Sequence, residues 1–207
     1  MCEEAIQGIH IEYVDIETLP FMNIDLEVGG VFPPAVEHFR QKILAADCVF
    51  FASPEYNYSI SGVMKNALDW GSRHPNVWAD KAAAVASAGG DFGGGRSQNH
   101  LRQIGVFLDL HFINKPELFI FAFHPPRKFD SQGNLIHPES LEKLQELLLS
   151  LRTFALRLKG GERKEERCFL QLSEQKREEN TDRRNTSFVN ELEKENGEMK
   201  KRKNSTI

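Results

Sequence analysis

The sequence predicts an α/β fold in which a parallel sheet is covered by helices on both faces. Short apolar runs alternate with longer stretches of helical periodicity along the first 160 or so of the 207 residues. The runs at 48–51, 81–88 and 118–123 are apolar almost throughout, as buried parallel strands are. Strands that alternate with helices are expected to pair in parallel through right-handed crossovers.

The elements follow in a regular order. Residues 9–16 alternate apolar and polar side chains, which predicts an edge strand with unequal faces. Helices are expected from Pro34, from Gly62, from Ser97 as N-cap and from Pro138, because each position precedes apolar residues at spacings of three and four. Together with the three apolar runs, these segments predict four strands and four helices in alternation.

The end of the chain differs from its middle. Residues 1–161 have the composition of one globular domain. From Glu162 onward roughly half of the residues are charged, with both signs mixed, so burial cannot offset the entropy of ordering that segment. Residues 162–207 are therefore predicted to form a charged tail that is disordered or weakly helical.

Composition excludes several classes of function. The net charge of −4 and the scattered basic residues argue against a nucleic-acid surface, and the basic run at 200–203 is interpreted as a solvated part of the tail. The three cysteines, Cys2, Cys48 and Cys168, have no metal-ligand spacing and indicate a reducing compartment without a zinc site. Neither a signal peptide nor a membrane-spanning run is present, so a cytoplasmic protein is expected.

Two loops are candidates for a binding site. Residues 54–61 are rich in Tyr, Asn and Ser, and five glycines occur within residues 89–95. A plain connector accounts for either loop equally well when it is taken alone. Because both loops follow strands and precede helices, they are expected at the same edge of the sheet, where glycine lets a ligand approach the main chain. Together they predict two walls of a site for a flat, hydrogen-bonding ligand.

A phosphate-binding loop is a minor alternative. Residues 90–97 match the spacing G-x-x-x-x-G-K-[ST], except that Arg96 stands where the motif needs Lys. A guanidinium does not reproduce the compact ammonium that contacts the phosphates, and no following strand ends in an Asp that would hold Mg²⁺. Nucleotide hydrolysis is therefore disfavoured.

The sequence predicts no catalytic side chain and no metal. His100 and His111 have no cysteine or carboxylate at a suggestive spacing, and Ser53 and Ser87 lack the G-x-S-x-G pattern of a nucleophilic serine. A site without an evident acid, base or nucleophile indicates that a bound cofactor performs the chemistry.

Three motifs carry a resemblance to a known family. They are Ser-Pro-Glu-Tyr-Asn-Tyr-Ser at 53–59, Lys-Asn-Ala-Leu-Asp-Trp at 65–70 and Gly-Gly-Asp-Phe-Gly-Gly-Gly-Arg-Ser-Gln at 89–98. With them the chain resembles the NADPH-dependent FMN reductase family, and within it the plant NAD(P)H:quinone reductases. The resemblance covers residues 8–159 and implies a flavodoxin-like fold.

The resemblance implies a flavin cofactor and a reaction. FMN would place its ring between the two loops, and Arg96 would meet the charge of the flavin or of the nicotinamide nucleotide. Hydride would pass from NADPH or NADH to FMN and then, in a ping-pong sequence, two electrons would pass to a quinone or similar small acceptor. Main-chain N–H groups at the ring edge would stabilise the negative charge of the reduced flavin. The cofactor-binding residues implied in this way are Pro54, Glu55, Tyr56, Asn57, Tyr58, Ser59, Ser87, Gly89, Gly90, Gly93, Gly94 and Arg96. A homodimer or homotetramer is also implied.

The chain departs from the family at its beginning. The family pattern opens with a first strand and a loop that binds the FMN phosphate, and neither is present in this sequence. The hypothesis is a truncated isoform or gene-model product, in which Met1 lies inside what would be the first helix and the sheet lacks the first strand. An alternative function follows, in which the protein binds family subunits without a flavin of its own.

Overall fold

The computed structural model describes residue 6 and residues 8–160. The expected boundary at residue 161 and the tail at 162–207 lie outside these residues and stay predictions. Within the described part, no helix is long and apolar enough to cross a membrane. The elements are α1 (Pro34–Ala45), β1 (Cys48–Pro54), α2 (Gly62–Ser72), β2 (Ala82–Gly89), α3 (Gly95–Leu108), β3 (His111–Phe112), β4 (Leu118–Phe121) and α4 (residues 138–160), with a 3-10 turn at Ile24–Leu26.

The sheet is organised around β2. On one side β2 pairs in parallel with β1, from Cys48 opposite Ala82 to Pro54 opposite Ala88. On its other side it pairs in parallel with β3 and then with β4. The segment 113–117 interrupts this second partner, so β3 and β4 act as two parts of one strand beside β2. The predicted parallel sheet is confirmed.

The two faces of β2 belong to different cores. Ala83 and Val85 lie in a core with side chains of α1, α2 and α3. Ala82, Ala84 and Ala86 lie in a second core with residues of β4 and α4. Because strand side chains alternate between faces, a strand buried on both sides must be apolar throughout, as this one is. Helices therefore cover both faces of the sheet, as predicted.

The edge strand predicted at 9–16 is wrong. This segment has no regular structure, and Tyr13 is largely exposed, while Val14 and Ile16 pack against the first core. Of the apolar residues in the segment, Val14 and Ile16 contact the core, whereas Ile11 and Tyr13 are exposed, so the alternation does not mark one buried face. A strand also needs a hydrogen-bonded neighbour. Among the described residues no segment pairs with 9–16, and β1 pairs only with β2.

Three local expectations also need correction. β1 continues through Pro54, beyond the predicted run at 48–51, because a proline at the last position of a strand loses little pairing. The helix α3 starts at Gly95 rather than after Ser97, because Gly94 is its N-cap and the Ser97 hydroxyl donates to the Gly94 carbonyl at 2.8 Å. The short strand β3 has no counterpart in the predicted elements.

A buried arginine fixes the end of α2. Arg40 of α1 donates to the carbonyls of Trp70, Arg73 and Pro75 at 2.9, 3.0 and 2.7 Å, so it satisfies acceptors that a helix C-terminus leaves unpaired. Burial lowers the pKa of Arg40. This contact holds α2 against α1 and so positions the helix that follows the first candidate loop.

Candidate functional site

The two candidate loops leave the sheet side by side. Pro54, the last residue of β1, is paired with Ala88 near the end of β2. Residues 55–61, here called the tyrosine loop, and residues 89–95, here called the glycine loop, therefore start at the same edge. The predicted co-location of the two loops is confirmed, and this edge is where α/β proteins bind ligands.

The tyrosine loop contains a tight turn. Tyr56 and Ser59 exchange two main-chain hydrogen bonds of 2.9 Å, and Asn57 and Tyr58 between them have φ angles of 49° and 65°. Two left-handed central residues are typical of a type I′ turn. A left-handed conformation is uncommon for a residue as bulky as tyrosine and often marks a functional position. The rings of Tyr56 and Tyr58 are both exposed.

Two buried polar side chains fix the inner side of the glycine loop. The Ser87 hydroxyl donates to the Gly93 carbonyl at 2.7 Å, and the Gln98 amide donates to the Ser87 hydroxyl at 2.8 Å. Gln98 also donates to the Leu118 carbonyl of β4 at 2.9 Å. Ser87 thus lies under the loop with its hydroxyl engaged inside the protein, and its contact with a ligand stays a prediction.

Only glycine fits at position 94. Gly94 has a φ angle of 85°, and a Cβ atom there would lie 2.5 Å from the Ser87 Cβ. The situation at Gly90 differs, because a Cβ atom there would have no neighbour within 4 Å. The glycine loop therefore has a constrained inner side and an open outer side.

A carboxylate joins the two loops. Glu55 accepts hydrogen bonds from the main-chain N–H groups of Arg96 and Ser97 at 3.0 and 3.4 Å. The Arg96 guanidinium adds an ion pair at 3.3 Å, and the Glu55 side chain is only 12% exposed. The negative charge thus lies at the N-terminus of α3, where free N–H groups and the helix dipole stabilise it.

Arg96 and His100 add further contacts between the loops. The Arg96 guanidinium carbon lies 3.8 Å from the centre of the Tyr58 ring and 3.7 Å from that of the Phe92 ring, which is cation–π geometry. His100 Nδ1 lies 2.9 Å from the Ser59 hydroxyl. Sequence spacing shows no partner for His100, because Ser59 is distant in the chain.

Both loops offer hydrogen-bond donors. The main-chain N–H groups of Asn57, Tyr58, Gly90 and Asp91 donate to no acceptor within residues 8–160. Unpaired N–H groups on adjacent loops suit the oxygen and nitrogen atoms at the edge of a flat heterocycle. The structure therefore brings the predicted residues of both loops and Arg96 to one edge of the sheet.

The phosphate-binding alternative does not fit the geometry. In a phosphate loop the N–H groups at the start of the helix contact the phosphates. Here the N–H groups of Arg96 and Ser97 are engaged by Glu55, and the Arg96 side chain lies against two rings. The glycine loop is consequently not arranged to receive a nucleoside triphosphate.

Three side chains that can bind metals meet at the opposite edge of the sheet. Atoms of Asp80, Asp109 and His111 lie within 4.8 Å of one another, and two of the three residues are exposed. Asp80 N–H donates to the Asp109 carbonyl at 2.9 Å, and His111 Nε2 lies 3.3 Å from an Asp80 carboxylate oxygen. These hydrogen bonds account for the arrangement. The sequence did not indicate this group, because its members come from two separate turns.

The fold and the site together define a class of protein, the flavodoxin-like α/β proteins, with a ligand site at the carboxyl edge of a parallel sheet. Residues 1–124 match the family model described as NADPH-dependent FMN reductase, and the chain belongs to that family. The likeness expected from the three motifs is confirmed.

Curated relatives and a solved structure agree with this assignment. Over 160 residues the chain is 66% identical to an NAD(P)H:quinone oxidoreductase from Solanum tuberosum, covering 77% of this chain and 82% of that protein. It is 64% identical to an NADPH:quinone oxidoreductase from Arabidopsis thaliana over 160 residues, again covering 77% of this chain and 82% of that protein. A flavoenzyme NAD(P)H:(acceptor) oxidoreductase from Paracoccus denitrificans superposes with a TM-score of 0.58 at 28% identity, covering 69% of this chain and 78% of that one.

Proposed function

We infer that the protein is an FMN-dependent NAD(P)H:quinone oxidoreductase. The observation that carries this inference is the pair of loops at the carboxyl edge of the sheet, both with unpaired N–H groups, in a chain of the FMN reductase family. Relatives at 66% and 64% identity are named as quinone oxidoreductases that use NAD(P)H or NADPH. The chemistry that bound FMN supplies is hydride transfer, first from NADPH or NADH and then, as two electrons, to a quinone.

The described residues fit FMN by their donor set. The N–H groups of Asn57, Tyr58, Gly90 and Asp91 can donate to the polar edge of the ring, and the open outer side of Gly90 admits a close approach. Fixed N–H dipoles also favour the negative charge that the ring gains on reduction. No side chain has to act as a nucleophile or a general base in this role.

The individual site residues remain proposals. We assign the ring contacts to the main chain of the tyrosine loop and to Gly89 and Gly90. Gly93, Gly94 and Ser87 shape the glycine loop from within, which is supported by the Ser87 hydrogen bond to the Gly93 carbonyl. Arg96 is proposed to meet the charge of the flavin or of the nicotinamide nucleotide, in keeping with its partial exposure between the loops.

Assembly and location are proposed with the function. A homodimer or homotetramer is supported by large apolar side chains at the surface, among them Phe21, Phe107 and Val106, which are 89%, 88% and 83% exposed. A cytoplasmic location is supported by the sequence pattern of three widely spaced cysteines. The family match and the relatives named above do not favour the alternative, an isoform that binds family subunits without a flavin of its own.

A flavin titration tests the function. Purified protein should be yellow or should become so on incubation with FMN. The flavin absorbance should bleach when NADPH is added without oxygen and return when a quinone is added. A folded protein that takes up no FMN and reduces no quinone would contradict the inference. If such a colourless protein formed complexes with an intact relative, the subunit-binding alternative would be correct instead.

A further inference from the structure

The Glu55 carboxylate does for α3 what an N-cap side chain normally does. The N-cap of this helix is Gly94, which has no side chain to accept a hydrogen bond. Glu55 reaches across from the tyrosine loop and accepts from the N–H groups of Arg96 and Ser97. The helix that follows the glycine loop is thus capped by a residue of the other loop.

The contact gathers several donors on a single side chain, at 3.0, 3.3 and 3.4 Å. Three donors converge on one carboxylate, two from the main chain and one from the Arg96 guanidinium, and hydrogen bonds to an ionised acceptor are stronger than neutral ones. The carboxylate is shielded from water, with an exposed fraction of 12%. An exposed ion pair would not hold two loops together in the same way.

We propose that Glu55 is a positioning residue for the flavin site, because it fixes the separation of the two loops and neutralises Arg96 between them. This inference rests on the proposed function. Its chemical consequence is that the N-terminus of α3 is unavailable to phosphate, so the cofactor is held at these loops through its ring. A second consequence is electrostatic, since a negative charge beside the site opposes the negative charge of a reduced flavin.

Glu55→Ala and Glu55→Gln test the role in the full chain. Without FMN, NMR should show the Arg96 and Ser97 amide protons exchanging about tenfold faster in Glu55→Ala, because both lose a charged acceptor. FMN affinity, followed by quenching of flavin fluorescence, should fall by about tenfold in the same variant as the loops lose their spacing. Glu55→Gln keeps an acceptor oxygen and should lie between the wild type and Glu55→Ala in both measurements.

The midpoint potential of the bound flavin separates positioning from mere loss of stability. It should become more positive in both variants, because removal of the Glu55 charge leaves Arg96 to stabilise the reduced anion. Glu27→Gln is the matched control: Glu27 is also paired with an arginine, Arg73, and its side chain is 17% exposed, but it lies outside both loops. That variant should keep both FMN affinity and potential.

The outcomes are distinct. If the wild-type protein takes up no FMN, the proposed function fails and the role of Glu55 in flavin binding fails with it. If the wild type binds FMN but Glu55→Ala leaves amide exchange, affinity or potential unchanged, only the inference about Glu55 is overturned.

Discussion

The two loops of the site hold their shapes by different means. The glycine loop is fixed from inside the protein, by the buried hydrogen bonds of Ser87 and Gln98 and by the steric fit at Gly94. The tyrosine loop is fixed by its own turn and by contacts that Glu55, Tyr58 and Ser59 make with α3. The inner side of the first loop, at Gly93 and Gly94, is therefore buried with the core, and the second loop is attached to the core through a few polar contacts. Substitutions should accordingly affect folding at the inner side of the glycine loop, and ligand binding at its outer side and at the tyrosine loop.

The largest expected effect is at Gly94. Gly94→Ala should destabilise the protein by roughly 2–4 kcal/mol, because it adds left-handed strain to a clash with Ser87. Urea unfolding measures the change. Gly90→Ala is the matched control and should stay within about 0.5 kcal/mol of the wild type, since its Cβ meets nothing, while it weakens FMN binding. Equal loss of stability in the two variants would contradict the division between inner and outer sides.

Gln98→Leu should have the next largest effect. The change leaves the Ser87 hydroxyl and the Leu118 carbonyl without their buried donor, at a cost of about 1–3 kcal/mol. Gln103→Leu, on the exposed side of the same helix, should be nearly neutral in the same thermal or urea unfolding experiment. If Gln98→Leu left the free energy of unfolding unchanged, the buried hydrogen bonds of Gln98 would not be what fixes the glycine loop.

Arg96→Gln should affect binding more than folding. The variant loses the contacts with Tyr58 and Phe92 and the ion pair with Glu55, which at a partly exposed site are expected to contribute about 1 kcal/mol in total. The KM for NADPH should rise while the thermal midpoint changes little. A large fall in thermal midpoint with an unchanged KM would mean that the contacts of Arg96 with the tyrosine loop stabilise the fold and do not serve binding.

The smallest expected effect is the pH dependence of the ion pair between Glu27 and Arg73, which lies away from both loops. Its hydrogen bond from Arg73 lowers the pKa of Glu27. The stabilisation is therefore complete above the ordinary glutamate pKa and is lost as the pH falls through the lowered value. The difference in thermal midpoint between wild type and Glu27→Gln should shrink from about pH 7 to about pH 3. A constant difference would mean that Glu27 acts through packing alone.

Much of the fold could be predicted because its signals are local. The apolar runs of β1, β2 and β4 and the start of α1 at Pro34 follow from composition and turn chemistry. The strand at 9–16 could not be judged locally, because pairing depends on a neighbour that the pattern of one segment does not reveal. The position of both loops followed from topology, which the alternation of elements determines.

The side-chain contacts of the site could not be predicted in the same way. No local pattern in the sequence indicates that the polar residue Gln98 is buried and donates to Ser87. Glu55 belongs to the predicted loop, but its side chain acts on α3, more than forty positions along the chain. Long-range hydrogen bonds between loops have no spacing rule, so they emerge only from the fold.

The position of the two tryptophans has a practical consequence for spectroscopy. Trp70 and Trp78 are both buried in the first core, and they are the only tryptophans in the sequence. Their emission should report unfolding of the domain. Neither lies in the loops, whose exposed aromatic side chains are tyrosine and phenylalanine. Intrinsic tryptophan emission of the FMN-free protein therefore reports the integrity of the core, flavin emission reports occupancy of the site, and both can be recorded on the unmodified protein.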